Sequence, residues 1–333
     1  MPQLSSLSVS GYRSIKRLDD FPLTSLNVLT GANGVGKSSF LGFFGMLAAL
    51  ERGALQSFVR AQGGADAVFF SGRERASLIR AGLDFGDIGY QFKLVPTDDN
   101  GVIFKSEHSL LLDVYSSVQP RLLLSADHAE SHLRDASDNY SPTVRRALSQ
   151  FRLYRFGDLG ALSGFSRLID EEERIVLEED ASNLGSVLFA LAGRHDREYG
   201  KIVDMVRSHV PFFGDFALRE DGSGSVIFEW FRSGDFSTPR GPEMLSFGVL
   251  RFICLVTLLF LPEKMQAPTL LIDEPELGLH PRVVRDLGVL LRQVSRSTQL
   301  IVSTLSEDLV AGLDPAQVIA VDLVDGVSSF ERR

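Results

Sequence analysis

The sequence contains one cysteine and no long apolar run. Cys254 is the single cysteine in 333 residues, so an intrachain disulfide is excluded and a reducing compartment is expected. The longest apolar run, Phe252 to Leu261, is far shorter than the ~20 residues that a membrane-spanning helix needs. The N-terminus lacks the basic-then-apolar pattern of a signal peptide. We therefore expect a cytoplasmic protein without a membrane segment.

Positive charge is also scarce. The chain has 34 Lys and Arg against 43 Asp and Glu, which gives a net charge of −9 and a pI near 5.3. This balance argues against nucleic-acid binding over the whole surface, although a local basic patch stays open. Hydrophobic residues make up 44%, so a folded core is expected rather than disorder.

The most informative motif lies between residues 31 and 39. It fits G-x-x-x-x-G-K followed by Ser, the phosphate-binding P-loop. An apolar segment, Leu26 to Leu29, predicts a buried strand before it, and residues 39–47 predict a buried helix after it. The alternative is an ordinary glycine-rich turn, which would not need a lysine and a serine in register. The predicted ligands of ATP phosphates are Gly31, Asn33, Gly34, Gly36, Lys37, Ser38 and Ser39.

A second motif far along the chain fits the first. Residues 269–272 read as a buried strand, and acidic residues follow it at Asp273 and Glu274. This is the Walker B pattern. Asp273 and the Ser38 hydroxyl are expected to support Mg²⁺, and Glu274 is expected to act as the general base that activates water. The alternative is a surface acid cluster, which the pairing with the P-loop disfavours.

A third motif, Leu245 to Arg251, precedes a long apolar helix. Ser246 and Gly248 resemble a helix N-cap and first turn, which would offer a hydroxyl and free amides to an anion. Alone, this pattern also fits a plain helix cap.

Together these motifs resemble bacterial stand-alone ABC-type ATPases of the RecF, SMC and OLD kind. Further matching segments are Gly11 to Ile15, Gly63 to Ala67, Leu153 to Asp158 and Asp273 to Pro281. The resemblance implies an α/β P-loop head with a mixed core sheet, an antiparallel β lobe and an inserted helical lobe. It also implies a homodimer around two ATP·Mg²⁺, in which Ser246 and Gly248 close the partner's site.

The resemblance further implies a role in DNA transactions or antiphage defence, often through a separately encoded effector such as a nuclease or toxin. Residues 276–281 would form a dimer contact, which makes His280 an interface residue rather than a metal ligand. Two alternatives stay open: a RecF-like DNA-repair clamp, and a non-hydrolysing scaffold that assembles with ATP.

Two positions depart from the family pattern. Phe247 follows Ser246 where many relatives carry Asp or Gly, and Leu305 occupies a switch position that often holds histidine. A leucine side chain cannot donate a hydrogen bond to a γ-phosphate. We therefore expect slow hydrolysis.

The expected organisation is one ATPase with an N-terminal P-loop half at 1–60, an antiparallel and helical insertion lobe at 61–235 and a C-terminal half at 236–333. Strands are predicted near residues 81–85, 89–94 and 102–104, with a hairpin turn at 98–101. Residues 126 to about 213 read as mostly helical, and strands follow at 216–218 and 226–230. A terminal hairpin is predicted around Asp325 and Gly326. No long heptad stretch is present, which excludes the coiled-coil arm of SMC proteins.

Two weaker patterns, a histidine pair and a basic stretch, also have simpler explanations. His128 and His132 could place two metal ligands on one helix face, but a solvated face fits their charged neighbours better. The basic stretch could meet DNA phosphates, but an ordinary charged surface is favoured; it comprises Arg145, Arg146, Arg152 and Arg155.

Overall fold

The computed structural model describes residues 3–111, 121–157, 164–170 and 175–333, which form sixteen strands and nine α-helices. The strands are β1 (Ser6–Tyr12), β2 (Ile15–Pro22), β3 (Leu26–Thr30), β4 (Ile79–Asp84), β5 (Ile88–Pro96), β6 (Val102–Leu111), β7 (Arg121–Ser125), β8 (Arg152–Tyr154), β9 (Phe165–Arg167), β10 (Phe213–Glu220), β11 (Ser225–Arg232), β12 (Asp235–Arg240), β13 (Thr269–Asp273), β14 (Gln299–Thr304), β15 (Val318–Val324) and β16 (Val327–Arg332). The helices are α1 (Lys37–Glu51), α2 (Leu55–Ala61), α3 (Ala65–Val68), α4 (Ser141–Leu148), α5 (Leu184–Arg194), α6 (Asp196–His209), α7 (Phe247–Phe260), α8 (Pro281–Val294) and α9 (Glu307–Val310).

A six-stranded sheet in the order β16-β15-β3-β14-β13-β8 organises the fold. Strands β15, β3, β14, β13 and β8 run parallel, and β16 is antiparallel to β15. Alternate side chains of β14 enter two cores: Leu300 and Val302 join the core that contains α7, and Ile301 joins the core that contains α1. Helices cover both faces of this sheet, and the central strands β13 and β14 are accordingly almost entirely buried. Their parallel course brings the carboxyl ends of β3, β14 and β13 to one edge.

A second six-stranded sheet, β2-β1-β4-β5-β6-β7, is antiparallel and shares the core that contains α1. It combines β1 and β2 from the first sixty residues with β4 to β7 from the following segment. The predicted hairpin turn joins β5 to β6, with Asn100 at φ 65°. Asparagine tolerates this left-handed conformation better than most residues, which is why the turn could be predicted.

The third sheet contains β10, β11 and β12, and β9 also pairs with β11. The prediction that residues 126 to 213 are mostly helical is wrong in extent. Helices α4, α5 and α6 lie there, but β8 joins the parallel sheet and β9 joins the third sheet. Strand β12 was not predicted. The terminal hairpin is confirmed as β15 and β16, with Asp325 and Gly326 at positive φ in its turn.

The predicted α/β architecture, with a mixed core sheet, an antiparallel lobe and a helical insertion, is confirmed. Within the described ranges, no helix is long and apolar enough to cross a membrane.

A buried glutamine, Gln299, connects the N-terminal segment to the parallel sheet. Its Nε2 donates to the carbonyl of Leu4 at 2.8 Å and that of Thr24 at 3.1 Å. Its Oε1 accepts from the Leu4 amide at 3.2 Å and the Thr269 hydroxyl at 3.0 Å. All of this side chain's hydrogen-bonding capacity is therefore used inside the protein.

Replacing Gln299 with leucine should destabilise the protein by about 2 kcal/mol or more, because several buried polar groups would lose their partner. Chemical denaturation measures the change in unfolding free energy. The matched control is Gln293→Leu, since Gln293 is exposed on α8 and should change stability by less than ~0.5 kcal/mol. Equal effects of the two substitutions would contradict the prediction.

Candidate nucleotide site

The loop between β3 and α1 is packed tightly against the C-terminal hairpin. Gly36 has φ 116°, and a Cβ atom there would lie 2.1 Å from Oγ of Ser328. The Ser328 hydroxyl donates to the Val35 carbonyl at 2.6 Å. A Cβ on Gly31 would lie 2.1 Å from the Val321 carbonyl oxygen. Both glycines are therefore required by close backbone packing, and the hairpin contact is a support that sequence reasoning missed.

Lys37 lies inside the loop with only 4% of its surface exposed. Its Nζ donates to the carbonyls of Gly31 and Ala32, each at 2.7 Å. Burial lowers the pKa of Lys37, and the nearby carboxylates of Glu274, Asp273 and Glu276 oppose that shift. The lysine of the first motif and the acids of the second, far apart in sequence, therefore share one electrostatic environment.

The other predicted residues lie along the same loop and in the first turn of α1. Asn33, Gly34 and Ser38 are exposed, so their polar atoms are accessible. Ser39 is partly buried, and its Oγ accepts from the Ser14 hydroxyl at 2.9 Å. The helix dipole of α1 begins at Lys37, which makes this N-terminus favourable for an anion.

Within the described part of the chain, the carboxylate of Asp273 has two partners at the end of β13. Ser303 of the adjacent β14 donates its hydroxyl to Oδ1. Arg155, directly after β8, pairs with Oδ2 at 2.7 Å. Ser303 is fully buried, whereas the Arg155 side chain is 51% exposed. An ion pair with such exposure contributes at most ~1 kcal/mol to stability.

Glu274 leaves the sheet in a left-handed conformation, with φ 48°. Its amide donates to the Ser303 carbonyl at 3.0 Å and to the Ser303 hydroxyl at 3.2 Å. A non-glycine residue in this region costs roughly 1 kcal/mol or more, so the surrounding structure must enforce it. The bend turns the chain sharply just after the strand, so that consecutive residues Asp273 and Glu274 are differently oriented.

Helix α7 begins as predicted, with Ser246 as its N-cap. The Ser246 Oγ accepts from the Val249 amide at 3.4 Å. Gly248 is packed so closely that a Cβ would lie 2.3 Å from the Gly278 carbonyl oxygen. Buried Arg251 donates to the Leu277 carbonyl at 2.8 Å. The start of α7 is thus fixed to the loop that follows the acids.

The predicted switch residue, Leu305, follows β14. Its side chain is 41% exposed, and its amide donates to Oε1 of Glu276 at 2.7 Å. The other oxygen of Glu276 is buried and has no hydrogen-bond partner in the described part of the chain. Sequence reasoning expected Glu276 in a dimer contact but missed its hydrogen bond to Leu305, because nothing in the local pattern links residues 276 and 305.

Comparison with known proteins decides the family. Residues 26–310 match the family described as "AAA domain, putative AbiEii toxin, Type IV TA system". The chain belongs to this AAA family. A comparison with curated proteins found no match.

The fold of this AAA-family protein is similar to that of SMC head domains. One is an Smc head bound to the C-winged helix domain of ScpA, with a TM-score of 0.64, 18% identity and coverage of 99% of this chain and 98% of that chain. Another is an Smc head with an extended coiled coil, bound to the C-terminal domain of ScpA derived from Pyrococcus furiosus. Its TM-score is 0.60, its identity 14%, and the coverage 99% and 96%. The predicted resemblance to ABC-type ATPases of the SMC, RecF and OLD kind is confirmed.

The structure gives the weaker sequence patterns a structural explanation. His128 and His132 do not share a helix, although their rings lie 4.2 Å apart. No cluster of three or more metal-ligating side chains occurs within the described ranges. Arg145, Arg152 and Arg155 pair with Glu51, Glu178 and Asp273 respectively, as expected for a charged surface. His280 caps α8 through its Nδ1. Asp158 and the acidic residues 171–173, which follow the basic stretch in sequence, lie outside the described residues.

The oxygen donors at this site suit Mg²⁺. A serine hydroxyl at residue 38 and a carboxylate at residue 273 are hard ligands of the kind that Mg²⁺ prefers beside phosphate. Asp273 lies at the carboxyl end of β13, and its Oδ2 pairs with the guanidinium of Arg155. In this AAA-family protein, therefore, the residues present fit the expected ion.

Gly248→Ala should lower the free energy of unfolding of this protein by about 1–3 kcal/mol, because the new methyl group would clash with the Gly278 carbonyl. Gly193→Ala in α5 is the control, since nothing lies within 4 Å of that position and alanine favours helix. Chemical denaturation should therefore show a lower free energy of unfolding for Gly248→Ala and a higher one for Gly193→Ala. A neutral or stabilising Gly248→Ala would show that the tight contact is absent.

Proposed function

We propose that this chain binds ATP with Mg²⁺, closes as a homodimer around two nucleotides, and hydrolyses ATP slowly. The observation that carries the proposal is the position of Lys37, which is buried in the phosphate loop and within electrostatic reach of Asp273, Glu274 and Glu276. A buried cation with nearby acids at the N-terminus of a helix fits a bound nucleotide phosphate and its metal. We assign the whole chain to this one ATPase unit.

Each site residue has a proposed task. The glycine loop and α1 bind phosphate oxygens through amides, and Lys37 supplies a positive charge at the β- and γ-phosphates. Ser38 and Asp273 would hold Mg²⁺, which when bound neutralises phosphate charge. Glu274 orients and deprotonates the attacking water, a role typically worth ~10²–10⁴-fold in rate. Asn33, Gly34 and Ser39 complete the phosphate-binding loop.

Exposed apolar side chains near the acids support dimerisation. Phe247 is exposed beside Arg251, whose guanidinium lies 5.6 Å from the ring centroid. Two more exposed side chains are Leu277, next to Glu276 on the loop after β13, and Leu305, on the loop after β14. Apolar groups clustered beside a polar site are typical of a protein interface. A second copy placed on this face would bring Ser246 and Gly248 to the partner's nucleotide.

We further propose a role as a nucleotide switch in antiphage defence or DNA transactions, acting on a separate effector. The family description, which mentions a toxin system, supports the defence role. A DNA-repair clamp would instead show turnover that DNA stimulates, and a scaffold would assemble with ATP without turnover. Measuring phosphate release with and without DNA separates these functions.

Glu274→Gln should trap an ATP-bound dimer, because it removes the general base while nearly preserving shape. Analytical ultracentrifugation with and without ATP·Mg²⁺ measures the assembly. In the same experiment, Glu274→Gln/Ser246→Arg should bind ATP but stay monomeric, because Ser246 serves the other protomer. Lys37→Ala should lose ATP binding itself.

The controls also define how this proposal fails. A Glu274→Gln protein that is monomeric at every ATP concentration, or dimeric regardless of ATP, contradicts ATP-driven closure. Loss of nucleotide binding in Ser246→Arg, as severe as in Lys37→Ala, contradicts the arrangement across the dimer.

Leu305→His should raise steady-state ATP turnover, about tenfold or more if the imidazole reaches the γ-phosphate, because it restores a hydrogen-bonding group. Phosphate release by wild type and variant measures the effect. Leu111→His is the matched control, since Leu111 is similarly exposed but lies at the end of β6 in the antiparallel sheet. An unchanged rate in Leu305→His would mean that residue 305 does not face the phosphate.

A further inference from the structure

Arg155 occupies a position that the proposed function leaves without a task. In the pairing of β8 with β13, Tyr154 lies opposite Ile272, so the next residues, Arg155 and Asp273, leave the sheet side by side. The Arg155 Nε lies 2.7 Å from Oδ2 of Asp273. The sheet register itself therefore places a cation on the proposed metal ligand.

The two partners of Asp273 differ in how easily they can leave. Ser303 is fully buried within β14, and its hydroxyl also accepts from the Glu274 amide, so it is fixed. Arg155 is half-exposed, and its guanidinium can move into solvent without opening a cavity. The hydrogen bond from Ser303 to Oδ1 is therefore kept when Arg155 moves away, whereas the partner of Oδ2 can be exchanged.

The charges around the acids account for the presence of Arg155 in addition to Lys37 and Arg251. Lys37 lies near Asp273, Glu274 and Glu276, and buried Arg251 lies near Glu274 and Glu276. Among the described residues, these two cations and three carboxylates leave one negative charge, and Arg155 pairs with the acid that Arg251 does not serve. A divalent cation at Asp273 would make this guanidinium redundant and would repel it.

We propose that Arg155 is a positioning residue that competes with the divalent cation for Asp273. It neutralises and orients the carboxylate until Mg²⁺ arrives, and it then moves off Oδ2. The protein thereby keeps its acid cluster balanced without metal, at the cost of a higher Mg²⁺ requirement. This inference rests on the proposed nucleotide function and adds to it a built-in control of metal loading.

The test is the Mg²⁺ concentration that half-saturates binding of a fluorescent ATP analogue. Arg155→Ala should lower that concentration about threefold to fivefold, the size expected when a half-exposed ion pair stops competing. The half-saturating Mg²⁺ concentration of Arg155→Lys should stay within about twofold of the wild-type value, because lysine keeps the positive charge. Arg152→Ala is the matched control: Arg152 lies on β8, three residues before Arg155, but pairs with Glu178 at 3.6 Å, and its loss should leave the Mg²⁺ requirement unchanged.

A second measurement removes nucleotide and activity from the test. Mn²⁺ binding to the nucleotide-free protein, followed by electron paramagnetic resonance, should tighten by a similar factor in Arg155→Ala. In an Asp273→Ala background the Arg155 substitution should have no further effect, since its target is gone. Thermal melting should show that all variants remain folded.

The outcomes separate the two levels of the proposal. An unchanged or higher metal requirement in Arg155→Ala, while Asp273→Ala still weakens metal binding, overturns the competition and leaves the nucleotide site intact. A metal requirement that Asp273→Ala does not alter overturns the competition and the metal assignment together. Loss of nucleotide binding in Lys37→Ala would still support the phosphate loop in either case.

Discussion

The buried hydroxyl of Ser303 is the contact on which the geometry of the site depends. It donates to Asp273 and accepts from the amide of Glu274, while the Ser303 carbonyl accepts from the same amide. Strand β14 lies between β13, which carries these acids, and β3, which leads into the phosphate loop. One strand therefore sets the position of the acids relative to the loop. Because a parallel strand covered on both faces cannot shift without exposing apolar side chains, this spacing is rigid.

Sequence alone was sufficient where the signal is local. The strand, loop and helix around Lys37 follow from a motif whose glycines and flanking apolar runs are contiguous. The turns at Asn100 and at Asp325-Gly326 follow from residues that tolerate positive φ. The N-cap at Ser246 follows from one side chain and the amides next to it. In each case, the residues that determine the structure lie within a few positions of one another.

The parts that could not be predicted depend on pairing between distant segments. Strand β8 has only three residues, and it is a strand because it pairs with β13. The partners of Asp273 come from Arg155 and Ser303, and neither carries a sequence mark of that role. The spacing of His128 and His132 suggested a helix, but His128 instead forms a bridge with Phe104, and a loop brings the two rings together. Tertiary pairing overrode local periodicity there.

The contacts beyond the acids connect the proposed dimer face to the proposed catalytic residue, Glu274, within one protomer. Gly248 touches the loop at Gly278, and Arg251 binds the carbonyl of Leu277 in that same loop. In the same loop, the carboxylate of Glu276, next to Leu277, accepts a hydrogen bond from the amide of Leu305. Burial lowers the pKa of Arg251, and the carboxylates of Glu274 and Glu276 oppose that effect, so the guanidinium is stabilised by the acids. A movement of the α7 N-terminus would displace the Leu277 carbonyl, and the loop would carry this displacement to Glu276 and the switch residue. Under the proposed function, leucine at position 305 would lack the side-chain contact to phosphate that a histidine could make, but the backbone link from the loop at Leu305 to the proposed dimer face is retained.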